Sequence, residues 1–352
     1  MKFNPKYTIT DKILNNISQI MAGREVIERA RLIPKWELKL QKEARLHNAH
    51  SSTSIEGNAL TLDQVKDLAD HKGVVATEKD KGEVANYLQA IDAIPQYAEK
   101  KRLDTRLFLE IHKTITAGTL KNEKDCGSFR DRQVFVGRRV FDGTGFKEEV
   151  EYMPPPTGDV PRLMEEFFEW LDSGAAETVS SVLLAGIVHY EIARIHPFID
   201  GNGRTARLLA SIVLYRSDFD HRRFFALDDH YDENRQAYYA ALKTAQQNDG
   251  DITRWLEYFT EGMLVSVNRV KGAIEKLELT PREIGAEQIE LTQKQIKILE
   301  KIKEKGRAAN KDLRDMFAVS RQAILKEVSK LVGADIIELI GKGRGAYYRM
   351  KE

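Results

Sequence analysis

The segment His196–Arg207 concentrates side chains that can do chemistry. It reads His-Pro-Phe-Ile-Asp-Gly-Asn-Gly-Arg-Thr-Ala-Arg, which brings a base, a carboxylate, two glycines and two arginines together. Gly201 and Gly203 let the backbone turn its N–H groups toward one point, just where a helix is predicted to begin. The N-terminus of a helix attracts anions through its free N–H groups and its dipole. We therefore expect this turn to bind phosphate.

The polar side chains of this segment extend that interpretation. Asn202, Arg204 and Arg207 supply further donors, and the guanidinium group suits bidentate contacts with phosphate. Asp200 would repel the same anion unless Mg²⁺ lay between them, so it is a candidate metal ligand. His196 is able to take a proton near neutral pH. Together these residues predict a di- or triphosphate held with Mg²⁺ beside a general base.

Simpler explanations exist for each part of the segment. His196-Pro197 alone would be a helix terminator, and Gly201-Asn202-Gly203 alone would be a turn. A calcium loop opening at Asp200 would need glycine and glutamate where Thr205 and Ser211 stand. The glycine-rich run at 341–345 lacks the Lys-Ser/Thr ending of a Walker A loop. Only the phosphate site accounts for all the parts at once.

The elements that must position this segment are predicted to be helices, because apolar residues recur at three- and four-residue steps. Two helices, Val179–Arg194 and Arg204–Tyr215, flank it. Two more follow at Asn234–Gln246 and Ile252–Ile274, and a helix is expected upstream until about His50. The predicted inward-facing positions of the flanking helices are Val182, Leu183, Ile187, Tyr190, Ile192, Leu208, Leu209, Ile212 and Val213.

One region breaks the helical pattern. Gly127–Met153 contains β-branched and aromatic residues followed by the glycine-rich run 142–145, which favours a β-hairpin. The three prolines at 154–156 end it, because proline can neither donate to a ladder nor continue a helix.

The whole segment His196–Arg207 resembles the signature of the Fic family, His-x-Phe-x-Asp/Glu-Gly-Asn-Gly-Arg-x-x-Arg. The resemblance covers roughly residues 40–270. It implies a mainly α-helical Fic fold with a β-hairpin flap, and transfer of AMP from ATP to a Tyr, Ser or Thr hydroxyl of a target protein. The roles it implies are a catalytic base at His196, a Mg²⁺ ligand at Asp200, and an ATP phosphate site at Gly201, Asn202, Gly203, Arg204, Thr205, Ala206 and Arg207.

The same resemblance assigns finer parts of the site. It implies that Arg204 binds the β-phosphate, that Arg207 binds the γ-phosphate, and that Phe198 anchors the loop in the core. The hairpin residues Val136, Gly137 and Arg138 correspond to the flap. Tyr239, Leu242 and Gln246 resemble the adenine pocket and share one helical face, although a plain core stripe would have the same spacing.

The segment Ser52–Gly57 resembles the inhibitory motif of the family, Ser/Thr-x-x-x-Glu-Gly/Asn. By itself it could be only a helix end, with Gly57 as the C-cap. Beside an intact catalytic motif, the resemblance implies that Glu56 pairs with Arg207 and occupies the γ-phosphate position. It also allows Glu56 to support removal of AMP, as in some members.

The chain divides into four predicted regions: 1–100 with the inhibitory motif, the catalytic core at 101–276, a linker at 277–290, and a small domain at 291–352. Helices at Thr292–Lys305, Lys311–Phe317 and Ser320–Leu331, then a hairpin with a basic tip, are typical of a winged helix-turn-helix. Residues 287–352 carry 15 Lys+Arg and 10 Asp+Glu, a charge of +5. The alternative function is therefore a DNA-binding regulator whose Fic-like part senses a nucleotide.

Composition limits the remaining possibilities. The chain has 55 Lys+Arg against 54 Asp+Glu, so its net charge of +1 gives no general attraction to nucleic acid or membranes. The single Cys126 excludes an internal disulfide, and no apolar run matches a membrane span. We expect a cytoplasmic protein whose partners are ATP and an unidentified target protein. The winged helix could contact DNA or protein, and a homodimer would be compatible with the sequence.

Overall fold

The computed structural model describes residues 3–30, 32, 34–141, 143, 145–279, 292–317, 321–334, 336–341 and 346–351. Within these residues the chain is mainly helical, and its contacts group it into two compact units. The first unit comprises Met1–Val26 and Gln41–Lys271, and the second comprises Ile27–Leu40 and Gly272–Glu352. Much of the predicted linker and the basic tip with Lys342 and Arg344 lie outside the described residues.

The first unit contains most of the helices of the chain. Three of these helices extend into the second unit, at residues 27–29, 34–40 and 272–279. The helices of the first unit are α1 (Asp11–Arg29), α2 (Pro34–Ile55), α3 (Leu62–Ala69), α4 (Glu78–Asp92), α5 (Ile94–Ala98), α6 (Thr105–Thr116), α7 (Val160–Leu171), α8 (Gly174–Glu177), α9 (Ser181–Ile195), α10 (Asn202–Arg216), α11 (Asp228–Glu233), α12 (Arg235–Gln246) and α13 (Thr253–Leu279). Strands β1 (Val136–Phe141) and β2 (Phe146–Tyr152) pair antiparallel.

Helices α9 and α10 form the centre of this unit. Every apolar position that the sequence pattern placed inward on these two helices is buried. Gly186 on α9 allows α13 to approach closely: a Cβ there would lie 2.8 Å from Leu256 Cδ2, and Trp255 Nε1 donates to the Gly186 carbonyl at 2.7 Å. The loop between the two helices, residues 196–201, is therefore carried by a rigid, fully packed pair.

Three boundaries differ from the sequence-based predictions by five residues or more, and one of them is the end of α13, at Leu279 instead of Ile274. Helix α2 was expected to end near His50 but continues to Ile55, because its last turn is buried and hydrogen-bonded to distant parts of the unit. Serine and threonine favour caps and turns over helix interiors, so this extension depends on tertiary contacts. The hairpin strands begin at Val136 and not near Gly127, since the preceding stretch is held as a loop by Arg130.

The second unit has its own elements and its own core. Helices α14 (Gln293–Lys305), α15 (Asn310–Phe317) and α16 (Arg321–Gly333) accompany an antiparallel sheet in the order β3 (Ala308–Ala309), β5 (Tyr347–Met350), β4 (Ile337–Ile340). Thr292 closes a capping box with Gln295 at the start of α14. Strand β3 was not predicted. The buried apolar residues described on α14 are Ile298, Leu299 and Ile302, whereas Ile296 is half-buried.

Candidate active site

His196 lies at the C-terminal end of α9 in a left-handed backbone conformation, with φ of 50°. Its N–H donates to the Ile192 carbonyl at 2.9 Å, and its Nδ1 lies 3.4 Å from the Ala193 carbonyl. A carbonyl only accepts, so this contact places the proton on Nδ1 and leaves the Nε2 lone pair free. Burial lowers the pKa of His196 to about 4. The imidazole is therefore neutral at pH 7 and able to accept a proton.

Asn202 fixes the shape of the loop that follows. Its Oδ1 accepts from the Phe198 N–H and its Nδ2 donates to the Phe198 carbonyl, both at 2.9 Å. Phe198 is fully buried, as expected for a core anchor. Asn202 is thus a loop-closing residue at the first turn of α10, where the free N–H groups of the helix begin.

His112 on α6 supports the same loop, and the sequence analysis did not single it out. Its Nδ1 accepts from the Gly127 N–H at 3.0 Å, so its Nε2 carries the proton and donates to the Asp200 carbonyl at 2.9 Å. The ring stacks on Phe198 with the centroids 3.5 Å apart. Burial lowers the pKa of His112 to about 4, which keeps the ring neutral. A histidine on an otherwise apolar helix face gave no local signal of this contact.

Gly201 and Gly203 lie at positions where a side chain would collide with neighbouring groups. Gly201 has a φ of 81°, and a Cβ there would lie 2.8 Å from Thr116 Cγ2. A Cβ at Gly203 would collide with the Glu56 carboxylate. Thr205 and Ala206 are fully buried, and Thr205 Oγ1 donates to the Gly201 carbonyl at 2.8 Å. The Thr205 N–H also bonds to the Gly201 carbonyl at 3.0 Å, so Thr205 closes the first turn of α10.

Asp200 and Arg204 lie next to each other at the start of α10. Arg204 is almost fully buried, and its Nη2 is 3.3 Å from Asp200 Oδ1. Its Nε and Nη1 have no hydrogen-bond partner among the described residues, although Glu83 Oε1 lies 3.5 Å from Nη1. A buried guanidinium with unmet donors is costly, and an anion in the site would satisfy them. Asp200 is half-exposed, and both described hydrogen bonds of its carboxylate use Oδ1, so Oδ2 could bind a metal ion.

Arg207 contacts the segment that was predicted to be inhibitory. Its Nη2 lies 2.7 Å from Glu56 Oε1 and donates to the Ser52 carbonyl at 2.8 Å, while its Nε donates to Ser52 Oγ at 2.7 Å. The Arg207 side chain is fully buried, whereas the Glu56 side chain is 30% exposed. The nearby Glu56 carboxylate helps to raise the pKa of Arg207 against the effect of burial. The structure thus brings Ser52 and Glu56, which share one end of α2, into contact with Arg207, a residue far from them in the sequence.

The position of Glu56 follows from how α2 ends. Gly57 has a φ of 91°, its N–H bonds to the Ser54 carbonyl, and the Asn58 N–H bonds to the Thr53 carbonyl. This pattern is a Schellman motif with Gly57 in the left-handed position, and it makes Glu56 the C-cap. The sequence expectation of a helix end is therefore met, and that end delivers Glu56 to Arg207.

Further polar residues, which the sequence analysis missed, line the other side of Arg207. Asp228 on α11 has its Oδ2 3.9 Å from Arg207 Nε and within 3.4 Å of the Tyr87 hydroxyl. Tyr238 on α12 faces Arg207 Nη1 at 3.4 Å, and its hydroxyl lies 2.8 Å from His189 Nε2. Burial raises the pKa of Asp228 to about 6, with Arg207 acting in the opposite direction.

The predicted flap residues lie on β1. Gly137 pairs with Val150 after a bulge at Val136, and a Cβ at Gly137 would strike the backbone of β2. The backbone of Arg138 continues the strand, and its side chain is outside the described part of the chain. Arg130 ties the hairpin region to the catalytic loop, because its Nε donates to the His196 carbonyl at 3.0 Å and its Nη1 to Thr157 Oγ1 at 2.6 Å.

The three predicted adenine-pocket residues lie on α12 in different environments. Tyr239 is 40% exposed, Leu242 is buried and Gln246 is half-buried. The Tyr239 hydroxyl donates to the Ile55 carbonyl at 3.3 Å, next to Glu56. Tyr239 therefore faces the site, whereas Leu242 packs into the interior.

Comparison with known proteins identifies the domain that carries this site. Residues 102–214 match the Fic/DOC family, and this range contains the complete loop from His196 to Arg207. The chain therefore contains a Fic/DOC domain at residues 102–214. Its mainly helical architecture with small antiparallel sheets agrees with the predicted Fic fold.

Relatives named protein adenylyltransferase Fic extend the match. The protein from Drosophila yakuba is 30% identical over 228 residues, and that from Drosophila melanogaster is 29% identical over the same length. Each alignment covers 63% of this chain and 41% of the relative, so the chain spans less than half the length of these curated proteins.

Solved structures show a similar fold at lower identity. A Fic family protein from Desulfovibrio desulfuricans G20 has a TM-score of 0.64 at 23% identity, covering 99% of this chain and 98% of that one. Fic-1 from C. elegans has a TM-score of 0.61 at 23% identity, covering 75% of this chain and 74% of its own. Within the described residues, no helix combines the length and apolarity needed to cross a membrane.

Proposed function

We propose that this Fic protein is a protein adenylyltransferase that moves AMP from ATP to a Tyr, Ser or Thr hydroxyl of a target protein. The observation that carries the proposal is that a neutral His196 and a buried Arg204 with unmet donors lie at the two ends of one short loop, His196 at the end of α9 and Arg204 in the first turn of α10. The relatives named protein adenylyltransferase Fic support the same activity.

The residues support an in-line transfer. The target hydroxyl gives its proton to His196 Nε2 while its oxygen bonds to the α-phosphorus, and the bond to the β-phosphate oxygen breaks to release pyrophosphate. The turn at Gly201–Gly203 and Arg204 would stabilise the phosphate charge through N–H donors that are already in place.

Asp200 is the proposed Mg²⁺ ligand. No group of three or more His, Cys, Asp or Glu side chains within the described residues could hold a metal ion unaided. Mg²⁺ is typically bound by one or two carboxylates together with substrate phosphates, and the half-exposed Asp200 fits that donor set. When bound, Mg²⁺ would neutralise charge on the ATP phosphates.

We also propose that Glu56 inhibits this activity. The carboxylate occupies Arg207 Nη2, which is needed for the γ-phosphate if the family assignment of Arg207 holds. With this contact in place, ATP would bind with its α-phosphate misaligned for attack. Support for removal of AMP by Glu56 is a further proposal, motivated by its 30% exposed side chain near His196.

The activity is tested by incubating the wild-type protein and the Glu56→Gly form with Mg²⁺ and ATP labelled at the α-phosphate. We expect label on the protein itself or on a lysate protein, and more of it with Glu56→Gly. Intact mass spectrometry identifies the added group as AMP. Absence of label on every protein in both forms would refute the transfer activity.

The second unit motivates a different function, since its helices and sheet enclose a separate core. We propose that residues 291–352 form a winged helix-turn-helix domain. The rest of the chain would then consist of the regions 1–100 and 101–276 and a linker at 277–290. On α16, Gln322, Lys326 and Lys330 are exposed at four-residue spacing, which would suit contact with DNA phosphates. A gel shift with the full chain should then weaken steeply with salt. If no gel shift occurs at low salt, contact with another protein or dimerisation would remain as the function of this domain.

A further inference from the structure

The two ends of the inhibitory segment contact Arg207 in different ways. Glu56 touches Nη2 alone and is 30% exposed. Ser52 is fully buried and makes two contacts, accepting from Nε at its hydroxyl and from Nη2 at its carbonyl. Glu56 could therefore withdraw without changing the orientation of the guanidinium, because the two Ser52 contacts fix that orientation.

Donor counting shows what would remain after Glu56 withdrew. A guanidinium has five N–H donors in a planar fork. The two Ser52 contacts would still use Nε and one proton of Nη2, and Tyr238 lies 3.4 Å from Nη1. The second Nη2 proton and a proton of Nη1 would then be available on the edge now facing Glu56. That pair suits bidentate phosphate binding.

The Ser52 hydroxyl has its own partner. Since its oxygen accepts from Arg207 Nε, its proton is available for a second acceptor, and the Asp228 carboxylate lies within hydrogen-bonding reach. Asp228 is buried, contacts the Tyr87 hydroxyl at 3.4 Å, and has Oδ2 3.9 Å from Arg207 Nε. Arg207, Ser52 and Asp228 thus form a buried chain, with a counter-charge on α11 that does not depend on Glu56.

We propose that Ser52 and Asp228 are positioning residues that hold Arg207 in the orientation required for the γ-phosphate, and that only Glu56 blocks it. This inference rests on the proposed function. It separates the segment Ser52–Gly57 into two opposite roles: Glu56 restrains the enzyme, and Ser52 prepares the arginine for the substrate.

The chain offers a matched control beside this pair. Ser51 is also buried, and its hydroxyl donates to Asp229 Oδ1 at 2.6 Å. Asp229 in turn lies 2.8 Å from His47 Nδ1. Ser51→Ala therefore removes an equivalent serine–aspartate hydrogen bond from the adjacent position, at a residue with no described contact to Arg207.

The experiment measures binding of ATP and of ADP, each with Mg²⁺, by calorimetry to the wild type and to four full-length variants. These are Glu56→Gly alone and Glu56→Gly combined with Ser52→Ala, Asp228→Asn or Ser51→Ala. Because losing one hydrogen bond to a charged group changes affinity by about tenfold, we expect Ser52→Ala and Asp228→Asn to weaken ATP binding by that factor. ADP binding should stay the same, since ADP lacks the γ-phosphate. Ser51→Ala should bind both nucleotides like Glu56→Gly.

Several results would overturn the inference. Unchanged or tighter ATP binding in both Ser52→Ala and Asp228→Asn would show that these residues do not prepare Arg207. Equal losses of ATP and ADP would indicate general damage to the site. Thermal unfolding identifies a variant that fails to fold, and the nearly isosteric Asp228→Asn then provides the measurement independently of Ser52→Ala.

The outcome also distinguishes this inference from the proposed function. If Glu56→Gly transfers AMP and binds ATP more tightly than the wild type, but the added changes have no effect, only this inference fails. If Glu56→Gly binds ATP no better than the wild type, Arg207 does not serve the γ-phosphate, and both the proposed inhibition and this inference are wrong.

Discussion

Arg204 and Arg207 lie one helical turn apart on α10, and both are almost fully buried, yet their surroundings differ. Arg207 donates to Ser52 and Glu56 and lies beside Tyr238 and Asp228. Arg204 leaves Nε and Nη1 without a hydrogen-bond partner in the described part of the chain, although Glu83 Oε1 lies 3.5 Å from Nη1. The donors of a buried charged group are normally satisfied, so the unmet donors of Arg204 indicate a group able to bind an external anion.

The difference between Arg204 and Arg207 indicates which part of a nucleotide the described conformation could accept. The donors for a β-phosphate at Arg204 are available, whereas the proposed γ-phosphate position at Arg207 already holds a carboxylate. The proposed inhibition would therefore act on one phosphate position and leave the rest of the site assembled.

The largest effect is expected at His196, whose task neither arginine could take over. His196→Ala should lower AMP transfer by about 10²- to 10⁴-fold, the usual cost of losing a general base. ATP binding should stay nearly unchanged, because the imidazole makes none of the proposed phosphate contacts. Measurement of labelled AMP transfer and of ATP affinity on the same preparation tests this. A parallel loss of both would make His196 a structural residue.

The next effect concerns the carboxylate on Arg207. Glu56→Gly should raise self-modification by about 5- to 150-fold, the range of a typical coupling free energy of 1–3 kcal/mol. Arg207→Ala removes the same ion pair but should not activate, because it also removes the γ-phosphate contact. Initial rates of label incorporation compare the two forms. Activation by both changes would show that Arg207 does not serve ATP.

ADP and ATP, used as probes of the Glu56→Gly form, distinguish the proposed roles of Arg204 and Arg207. Arg204→Ala should weaken both nucleotides about tenfold, since each has a β-phosphate that would contact this group. Arg207→Ala should weaken ATP alone. Equilibrium binding with Mg²⁺ present gives the two ratios. If Arg204→Ala spared ADP, the unmet donors of Arg204 would have another purpose.

The smallest effect is a pH dependence that should be nearly absent. Burial lowers the pKa of His196 to about 4, so lowering the pH to 5.5 leaves the imidazole neutral, whereas an ordinary histidine would be mostly protonated. At saturating ATP, the transfer rate of Glu56→Gly should change less than about twofold between pH 5.5 and 7.5. A loss that follows a pKa near 6.5 would contradict the described environment of His196.

Local patterns predicted much of the helical framework. The helices that flank the catalytic loop begin and end within two residues of their predicted bounds, because each buries a broad apolar stripe that can be recognised from spacing alone. A left-handed turn at Gly57 was also predictable, since glycine is the residue that adopts this conformation at least cost. The continuation of α2 beyond His50 up to that turn was not, because the serines of its last turn depend on partners elsewhere.

The sequence by itself predicted a phosphate site at residues 196–207, because a turn before a helix places its own N–H groups and nearby side chains around one point. The tertiary structure decided which distant groups reach that point. Glu56 and Ser52 meet Arg207 across about 150 residues, Asp228 approaches it from another helix, and His112 supports Asp200 from a third. Such contacts depend on how helices pack, and no local spacing encodes the packing of one helix against another.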